Sequence, residues 1–189
     1  MAKIIAYILL CIKYLPLIIL HLIHKDVLLE KDILHYSKYF SCRYNSIFTV
    51  AYLLEKVQEF RDVFFLRYKK YSILKNIYKG VGNCYFFMDS ASVGGGIMLW
   101  HGYSTVVNAI SLGTNCEIWQ NVTIGKKGTE PIADKPVIGN NVRICAHSVV
   151  IGPIKVGNNV TIGAGSVVTK DIPDNCIVVG NPAKIIKRI

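Results

Sequence analysis

Histidines and cysteines are the side chains in this 189-residue sequence whose chemistry could serve catalysis or metal binding. His101 and His147 are the two histidines of the C-terminal half. An imidazole with an ordinary pKa of about 6.5 exchanges protons near neutral pH, so it can act as a general base. A zinc centre with three histidine ligands would need one more histidine than this half contains. A metal site is therefore not expected.

The six cysteines form no C-x-x-C pair. They stand at Cys11, Cys42, Cys84, Cys116, Cys145 and Cys176. We expect free thiols in a reducing cytoplasm. Cys116 and Cys145 do not sit in an evident electropositive motif, so they are interpreted as small residues that fill a core rather than as nucleophiles.

A six-residue repeat from Ile138 to Ile172 must position these side chains. Aliphatic residues recur at every sixth position, namely Ile138, Ile144, Val150, Val156, Ile162 and Val168. Small or apolar residues follow each of them by four positions, namely Val142, Ser148, Ile154, Val160, Ser166 and Ile172. This period fits neither an α-helix nor a simple alternating strand, and it is typical of a hexapeptide β-helix.

Three hexapeptides make one coil, because the sequence IGNNV at residues 138–142 returns as VGNNV at residues 156–160. Stacking of successive coils should pair Ile138 with Val156, Ile144 with Ile162, and Val150 with Val168. The glycine and asparagine pairs should form the corners, because these residues tolerate positive φ angles.

The repeat is looser upstream, where its phase is read at Val93, Leu99 and Thr105 and then, after a slip of one residue, at Leu112. One inserted residue near Asn108 would explain the slip. Residues 125–137 carry Gly, Pro and charge, so they should leave the coil as an extruded loop. The predicted fold is mainly β, with a parallel β-helix over residues 83–189 and an α-helical region over residues 1–82.

The helical region should contain helices over residues 26–40 and 46–79, which show apolar steps of three and four residues. Gly80–Asn83 should end the second helix. Residues 4–23 are apolar enough to suggest a membrane span, but Lys13 and Pro16 lie in the middle. A central lysine costs about 2.5–3.5 kcal/mol on insertion scales, which disfavours a span.

We expect a pair of amphipathic or hairpin-like helices over residues 1–25. Two placements remain open. The pair packs within its own trimer, or it lies in the interface of the inner leaflet with basic side chains toward the phosphate headgroups. The basic residues in question are Lys3, Lys13, Lys25 and Lys31.

The composition is that of a folded and basic protein. Apolar residues make up 52% of the chain and charged residues 18%, which excludes a disordered chain. The net charge of +10 suits anionic partners such as a phosphorylated cofactor or a membrane surface. The basic residues form no arginine-rich run and no aromatic RNA-binding box, so nucleic acid is not an expected partner.

Three motifs, taken together and in order, resemble those of hexapeptide-repeat acyltransferases, within them the serine acetyltransferase branch. They are GIML at residues 96–99 followed by His101, GAGSVV at residues 163–168, and GNPAK at residues 180–184. The resemblance covers about residues 86–189. It implies a left-handed β-helix, usually a homotrimer, with acetyl-CoA bound between subunits. Whether two such trimers associate stays open.

The resemblance also implies residue roles. His101 matches the catalytic histidine of the family and would be the general base that activates a hydroxyl. The implied acetyl-CoA contacts are Ala146, Ala164, Thr169, Lys170, Lys184 and Lys187. His147 is interpreted as structural.

The sequence departs from serine acetyltransferases at three acceptor positions. Trp100 replaces the aspartate before the catalytic histidine, Phe86 replaces the aspartate that orients it, and Lys135 replaces a second histidine on the loop. Trp100 and Lys135 are therefore candidate acceptor-binding residues of a different kind. A tryptophan offers a flat apolar face to a sugar ring, although it could equally fill a trimer seam. Asp89 and Glu117 are the nearest carboxylates in sequence that could hold the imidazole of His101.

These departures and the short N-terminal region resemble colanic-acid and capsular-polysaccharide acetyltransferases. The predicted function is acetyl-CoA-dependent O-acetylation of a sugar hydroxyl in surface-polysaccharide synthesis, without a metal. The predicted location is the cytoplasm or the inner face of the cytoplasmic membrane. Two alternatives remain: a serine O-acetyltransferase of cysteine biosynthesis, and a non-catalytic β-helix scaffold.

Overall fold

A computed structural model describes residues 2–40, 47–78, 84–129 and 134–189, and it places α-helices before a parallel β-helix. The α-helices are α1 Ala2–Lys13, α2 Leu15–His24, α3 Val27–Tyr39, α4 Ile47–Lys56 and α5 Gln58–Arg67. Two 3₁₀ helices span Lys69–Asn76 and Ser90–Ser92. The predicted boundary at residues 82 and 83, and the predicted helix break at Gly80–Asn83, lie outside the described residues.

The helix α3 confirms the helix predicted over residues 26–40. The Asp26 carboxylate caps it, accepting hydrogen bonds from the backbone N–H groups of Leu28 at 2.8 Å and Leu29 at 2.9 Å. The single helix predicted over residues 46–79 is wrong, because the chain leaves helical geometry at Val57 and again at Tyr68. Val57 is extended (φ −117°, ψ 94°), as suits a β-branched residue, and its side chain is buried.

The N-terminal apolar segment forms two helices, α1 and α2, as predicted for residues 1–25. They meet at Tyr14, where the chain bends by 72°, and a proline follows in the first turn of α2. Within the described residues no single helix is long and apolar enough to cross a membrane. Taken together, the bent pair α1 and α2 is long and apolar enough.

The β-helix has three faces, which we call A, B and C. Face A contains β1 Cys84–Phe86, β3 Thr105–Val107, β6 Thr123–Gly125, β9 Val149–Ile151 and β12 Val167–Val168. Face B contains β4 Ser111–Leu112, β7 Val137–Ile138 and β10 Lys155–Val156. Face C contains β2 Met98–Leu99, β5 Glu117–Ile118, β8 Arg143–Ile144, β11 Thr161–Ile162, β13 Cys176–Val179 and β14 Lys184–Arg188.

The predicted ladder of stacked aliphatic residues is confirmed in register. Ile138 pairs with Val156, Ile144 with Ile162 and Val150 with Val168, and all six side chains are buried. Each buried aliphatic side chain stabilises the fold by roughly 1.5–3 kcal/mol. The second inward set is buried too, including Ser148 and Ser166. At the corners Asn141 and Asn159 adopt positive φ angles of 54° and 55°, as predicted.

The predicted insertion near Asn108 is wrong. Met98 pairs with Glu117 and Val106 pairs with Thr123. Val106 comes eight residues after Met98 in the first coil, whereas Thr123 comes six residues after Glu117 in the second coil. The two additional residues therefore lie at the corner between faces C and A, within residues 100–105. Val107, and not Thr105, takes the inward place above Ile124.

A buried ion pair fastens the helices to the first coil. Arg67 Nε donates to Asp32 Oδ2 at 2.7 Å, and neither side chain is accessible to solvent. Arg67 Nη2 also donates to the carbonyl oxygen of Gly94 at 2.7 Å. Asp32 Oδ1 accepts from the N–H groups of Gly96 at 2.7 Å and Ile97 at 2.9 Å. Arg67 and Asp32 thus both bond to the backbone of residues 94–97, the segment that leads to His101.

Candidate active site

His101 lies in the expanded corner at residues 100–105. Its φ angle is +51° and Ser104 has a φ angle of +49°, so the backbone turns twice through the left-handed region. The His101 side chain is exposed, whereas Gly102 is buried beside Cys84. The imidazole therefore stands outside the coil, as that of His147 does at the equivalent corner two coils further on.

Neither carboxylate that the sequence offered as a partner contacts the imidazole of His101. Asp89 forms an exposed ion pair with Lys69 at 3.3 Å. Glu117 accepts from Trp100 Nε1 at 3.0 Å and from Arg143 Nη2 at 3.2 Å. Because both carboxylates bond to other side chains, neither Asp89 nor Glu117 is the partner of the His101 imidazole in this structure. Among the described residues, no side chain forms a hydrogen bond with the imidazole.

Three aromatic side chains, Tyr39, Trp100 and Trp119, form a surface beside His101 that we call the aromatic wall. Trp100 and Trp119 stack with ring centres 5.7 Å apart and planes inclined by 22°. Tyr39, at the end of α3, meets Trp100 edge to face at 4.3 Å. Trp100 is half-buried, so part of the indole stays open to a ligand.

Glu117 and Arg143 add charge to the aromatic wall. The Arg143 guanidinium lies 6.0 Å from the Trp119 ring centre, within the range of a cation–π contact. Its side chain is 52% exposed, and that of Glu117 is 19% exposed. The sequence reasoning missed Tyr39, Trp119 and Arg143. A signal for Trp119 existed, because Leu99 and Ile118 are hexad residues and each is followed by a tryptophan.

Ala146 and Ala164 lie on the same edge as His101, where face C meets face A. The N–H of Gly165 donates to the Ala146 carbonyl at 2.9 Å, which stacks the two corners. Ala164 is exposed, and no heavy atom lies within 4 Å of the place where a Cβ of Gly165 would stand. This edge is open at Gly165, so it leaves room for an extended ligand such as the pantetheine arm that the sequence predicts there. His147 shares the edge, with φ +60° and an exposed side chain.

The remaining predicted cofactor residues lie elsewhere. Thr169 and Lys170 occupy the corner between faces A and B, because β12 precedes them and Ile172 pairs with Val156 on face B. Lys184 and Lys187 are exposed on β14, which runs antiparallel to β13 on face C. His101, Ala146 and Ala164 thus share one edge of the β-helix and the four other residues do not, and the roles of all seven stay predictions.

Lys135 stands at the base of the extruded loop, which leaves face A after β6 and returns to face B at β7. The next residue, Pro136, accepts a hydrogen bond from Ile110 N at 2.8 Å. This edge is not the edge of His101, so one chain does not bring the two together. An acceptor-binding role for Lys135 stays a prediction that depends on a second subunit. Residues 130–133 of the predicted loop lie outside the described residues.

The thiols near this region are poorly suited to nucleophilic attack. Burial raises the pKa of Cys116 to about 11, and burial also raises the pKa of Cys145. Both residues lie in coil positions, as expected for core fillers. Across the described ranges, no group of three histidine, cysteine, aspartate or glutamate side chains is placed to hold a metal ion.

Comparison with known proteins agrees with this architecture. A sequence profile described as "Bacterial transferase hexapeptide (six repeats)" matches residues 135–170. The chain is 36% identical over 130 residues to the putative colanic acid biosynthesis acetyltransferase WcaB of Escherichia coli K12, an alignment that covers 62% of the chain and 80% of that protein. The chain belongs to the hexapeptide-repeat transferases.

Serine acetyltransferases are a second group of relatives of this hexapeptide-repeat transferase. That of Synechococcus elongatus is 42% identical over 99 residues, which cover 52% of the chain and 41% of that enzyme. The crystal structure of Neisseria gonorrhoeae serine acetyltransferase superimposes with a TM-score of 0.64 at 28% identity, covering 85% of the chain and 65% of the structure. The coil is the left-handed β-helix of this family. The chain spans about two fifths of the cyanobacterial relative but four fifths of WcaB.

Proposed function

We propose that this hexapeptide-repeat transferase is an acetyl-CoA-dependent O-acetyltransferase that modifies a sugar hydroxyl in surface-polysaccharide synthesis. The observation that carries the proposal is the exposed His101 in its expanded corner, directly after Trp100 of the aromatic wall. The similarity to WcaB and to serine acetyltransferases supports an acetyl transfer. A homotrimer is part of the proposal, because Lys135 lies on a different edge from His101 in the same chain.

The residues divide the chemistry between them. Acetyl-CoA supplies the acetyl group as a thioester when bound along the open edge at Ala146 and Ala164. His101 takes the proton of the acceptor hydroxyl as the oxygen attacks, and it returns that proton to the departing sulfur. Backbone N–H groups of the coil can stabilise the negative charge that develops on the carbonyl oxygen.

The aromatic wall favours a sugar acceptor over serine. An indole face packs against the C–H groups of a sugar ring, whereas the small zwitterion serine needs charged partners. Glu117, a carboxylate beside the wall, is already bonded to Trp100 and Arg143. Serine O-acetylation is the second candidate, and the identity to serine acetyltransferases is what favours it.

Paired histidine variants test the base. We expect His101→Asn to lower kcat for CoA thiol release by about 10²–10⁴-fold, the usual contribution of a general base. His147→Asn is the matched control, because both histidines are exposed corner residues with φ angles of +51° and +60° and asparagine tolerates that conformation. Equal rates for the two variants would refute the assignment.

Acceptor assays separate the remaining alternatives. Nucleotide-linked and lipid-linked sugars are compared with L-serine as acceptors for thiol release. Turnover with serine alone would favour the second candidate. Failure of the chain to bind acetyl-CoA would favour a non-catalytic scaffold.

We also propose that α1 and α2 lie in the interface of an anionic membrane, on the inner face of the cytoplasmic membrane. Their exposed apolar residues are Ile5, Ile8, Leu9, Ile12, Leu15, Ile19, Leu22 and Ile23. Two of the four basic residues expected at the headgroups are otherwise placed. Lys13 pairs with Glu55 at 2.7 Å, and Lys31, on α3, lines a groove between that helix and face C.

Flotation with anionic vesicles tests this placement. Replacing Ile12 and Ile23, which are 62% and 71% exposed, by asparagine should abolish flotation of the full chain. The matched control replaces Ile73 and Ile77, which are 76% and 72% exposed in a different part of the helical region. Flotation that both pairs reduce equally, or that neither reduces, would contradict the proposal.

A further inference from the structure

A groove of about 530 Å³ lies between α3 and face C, next to the aromatic wall. Most of its lining residues have polar or charged side chains, namely Lys31, His35, Lys38, Asn115, Glu117, Asn141, Arg143, Asn159 and Thr161, and the others are Leu34, Val142 and Ile189. The volume is within the range of about 300–1,000 Å³ that small-molecule sites occupy. The cofactor and base assignments do not use this groove.

One side of the groove is a single stripe of α3. Lys31, Leu34, His35 and Lys38 are spaced by three and four residues, so they point to one side of the helix. Lys31 and Lys38 are exposed, and in the described parts of the chain neither forms a salt bridge. His35 Nδ1 is bonded to the Gly96 carbonyl oxygen at 2.5 Å, which fixes α3 above the first coil.

The floor of the groove comes from face C. Asn115, Asn141 and Asn159 line it from the corner with face B, and their amides are bonded in a ladder at 3.3 Å and 2.9 Å. Arg143 projects from the middle of the face, paired with Glu117. Three cationic side chains thus face one carboxylate among the side chains of the lining, and the groove favours an anion.

The groove continues into the aromatic wall through shared residues. Glu117 and Arg143 line the groove, while Glu117 also bonds Trp100 and Arg143 also contacts Trp119. Lys38 is followed by Tyr39, the α3 member of the wall. A ligand that fills both places would set an apolar ring against the tryptophans beside His101 and an anionic group among Lys31, Lys38 and Arg143.

We propose that this groove binds the diphosphate of an activated sugar, so that the acceptor is acetylated while it is carried on a diphosphate. The inference rests on the proposed function and names the class of its acceptor. Lysine and arginine are the residues that meet phosphate oxygens with charge-assisted hydrogen bonds. The open edge at Ala146 and Ala164 lies across face C from the asparagine corner, so the diphosphate and the cofactor would occupy different places.

Direct binding tests the groove without turnover. Titration calorimetry of the full chain at low salt uses inorganic pyrophosphate as the probe of the shared chemistry. Lys31→Gln with Lys38→Gln should weaken pyrophosphate binding by about tenfold. The matched control, Lys56→Gln with Lys70→Gln, removes two exposed lysines outside the groove and should leave affinity within about twofold.

Two further arms identify the carrier and the site. UDP-glucose and N-acetylglucosamine joined by a diphosphate to a short polyprenol distinguish a nucleotide from a lipid carrier, and the groove variant should weaken whichever binds. The same variant should leave the acetyl-CoA dissociation constant unchanged. No pyrophosphate binding to the wild type, equal losses in both lysine pairs, or a parallel loss of acetyl-CoA affinity would overturn the inference. A wild type that binds pyrophosphate but not acetyl-CoA would instead refute the proposed function.

Discussion

Replacing Arg67 by methionine should be among the most damaging single changes outside the active site. The substitution keeps an unbranched apolar stem but removes the guanidinium that holds Asp32 at 2.7 Å with no solvent access to either side chain. It also leaves the buried carbonyl oxygen of Val93 and the partly buried one of Gly94 without their Arg67 donors, each of which stands at 2.7 Å. Breaking a buried pair from one side costs about 3–5 kcal/mol. In a chain of this length that lowers the melting temperature by roughly 6–20 °C.

The loss should depend on pH in a defined direction. Burial raises the pKa of Asp32 to about 6, although hydrogen bonds from Arg67, Ile97 and Gly96 oppose that rise. The ordinary value is about 3.9 in an unfolded chain. A carboxyl whose folded pKa is raised loses stability as the pH rises from the unfolded value to the folded one. Without Arg67 the pKa of Asp32 in the folded protein rises further. The variant therefore continues to lose stability above pH 6, where the stability of the wild type no longer depends on Asp32.

Urea unfolding followed by tryptophan fluorescence and circular dichroism measures both effects. The two tryptophans of the sequence, Trp100 and Trp119, report on the first coils. Lys69→Met is the matched control, because the pair of Lys69 with Asp89 is 64% and 84% exposed and should cost less than about 1 kcal/mol. Arg67→Met would show no special role for the ion pair if it cost no more stability than this control, or if its difference in unfolding free energy from the wild type did not widen between pH 6 and pH 8.

Two further predictions concern the coil. Gly113→Ala should destabilise the protein by about 1–3 kcal/mol in urea unfolding, because the new Cβ would lie 2.3 Å from the Gly139 carbonyl oxygen. Gly125→Ala is the control and should be nearly neutral, because no heavy atom lies within 4 Å of its Cβ. Equal effects of the two substitutions would contradict the stacking of the coils. Cys116, whose pKa is raised by burial to about 11, should resist iodoacetamide at pH 8 in the native protein and react after unfolding. Peptide mapping that finds Cys116 alkylated before unfolding would refute its placement in the core.

The β-helix could be predicted because residues that contact each other across coils recur at a fixed spacing in the sequence. Each inward residue from Ile138 to Val168 meets the residue eighteen positions away, so the six-residue period fixes both the strand and its partner. The helical region has no such rule. The break at Val57 depends on packing between helices, and apolar spacing of three or four residues continues through it without a signal.

The candidate site was predictable only in part. His101 could be found by its motif, but the partner of a side chain depends on competition between neighbours in space. Glu117 is close in sequence to the first coil, yet Trp100 and Arg143 occupy its two oxygens. The corner insertion was misplaced because the hexads before Leu112 are irregular, and Thr105 and Val107 are both buried. Only the strand register separates the two.

The irregular first coil is the part of the β-helix that the helical region contacts. Coils inside a β-helix have neighbours on both sides, and an inserted pair of residues there would disturb two ladders. On face C the first coil begins the ladder, so the expanded corner meets one neighbouring strand there, whereas on face A β3 lies between β1 and β6. The open side of the first coil must then be covered, and the helices supply this: the Tyr36 hydroxyl accepts from Leu99 N at 2.9 Å, two residues before His101. The strand that leads to His101 is therefore anchored to α3 through Tyr36, and the segment before it is anchored to Arg67 and Asp32.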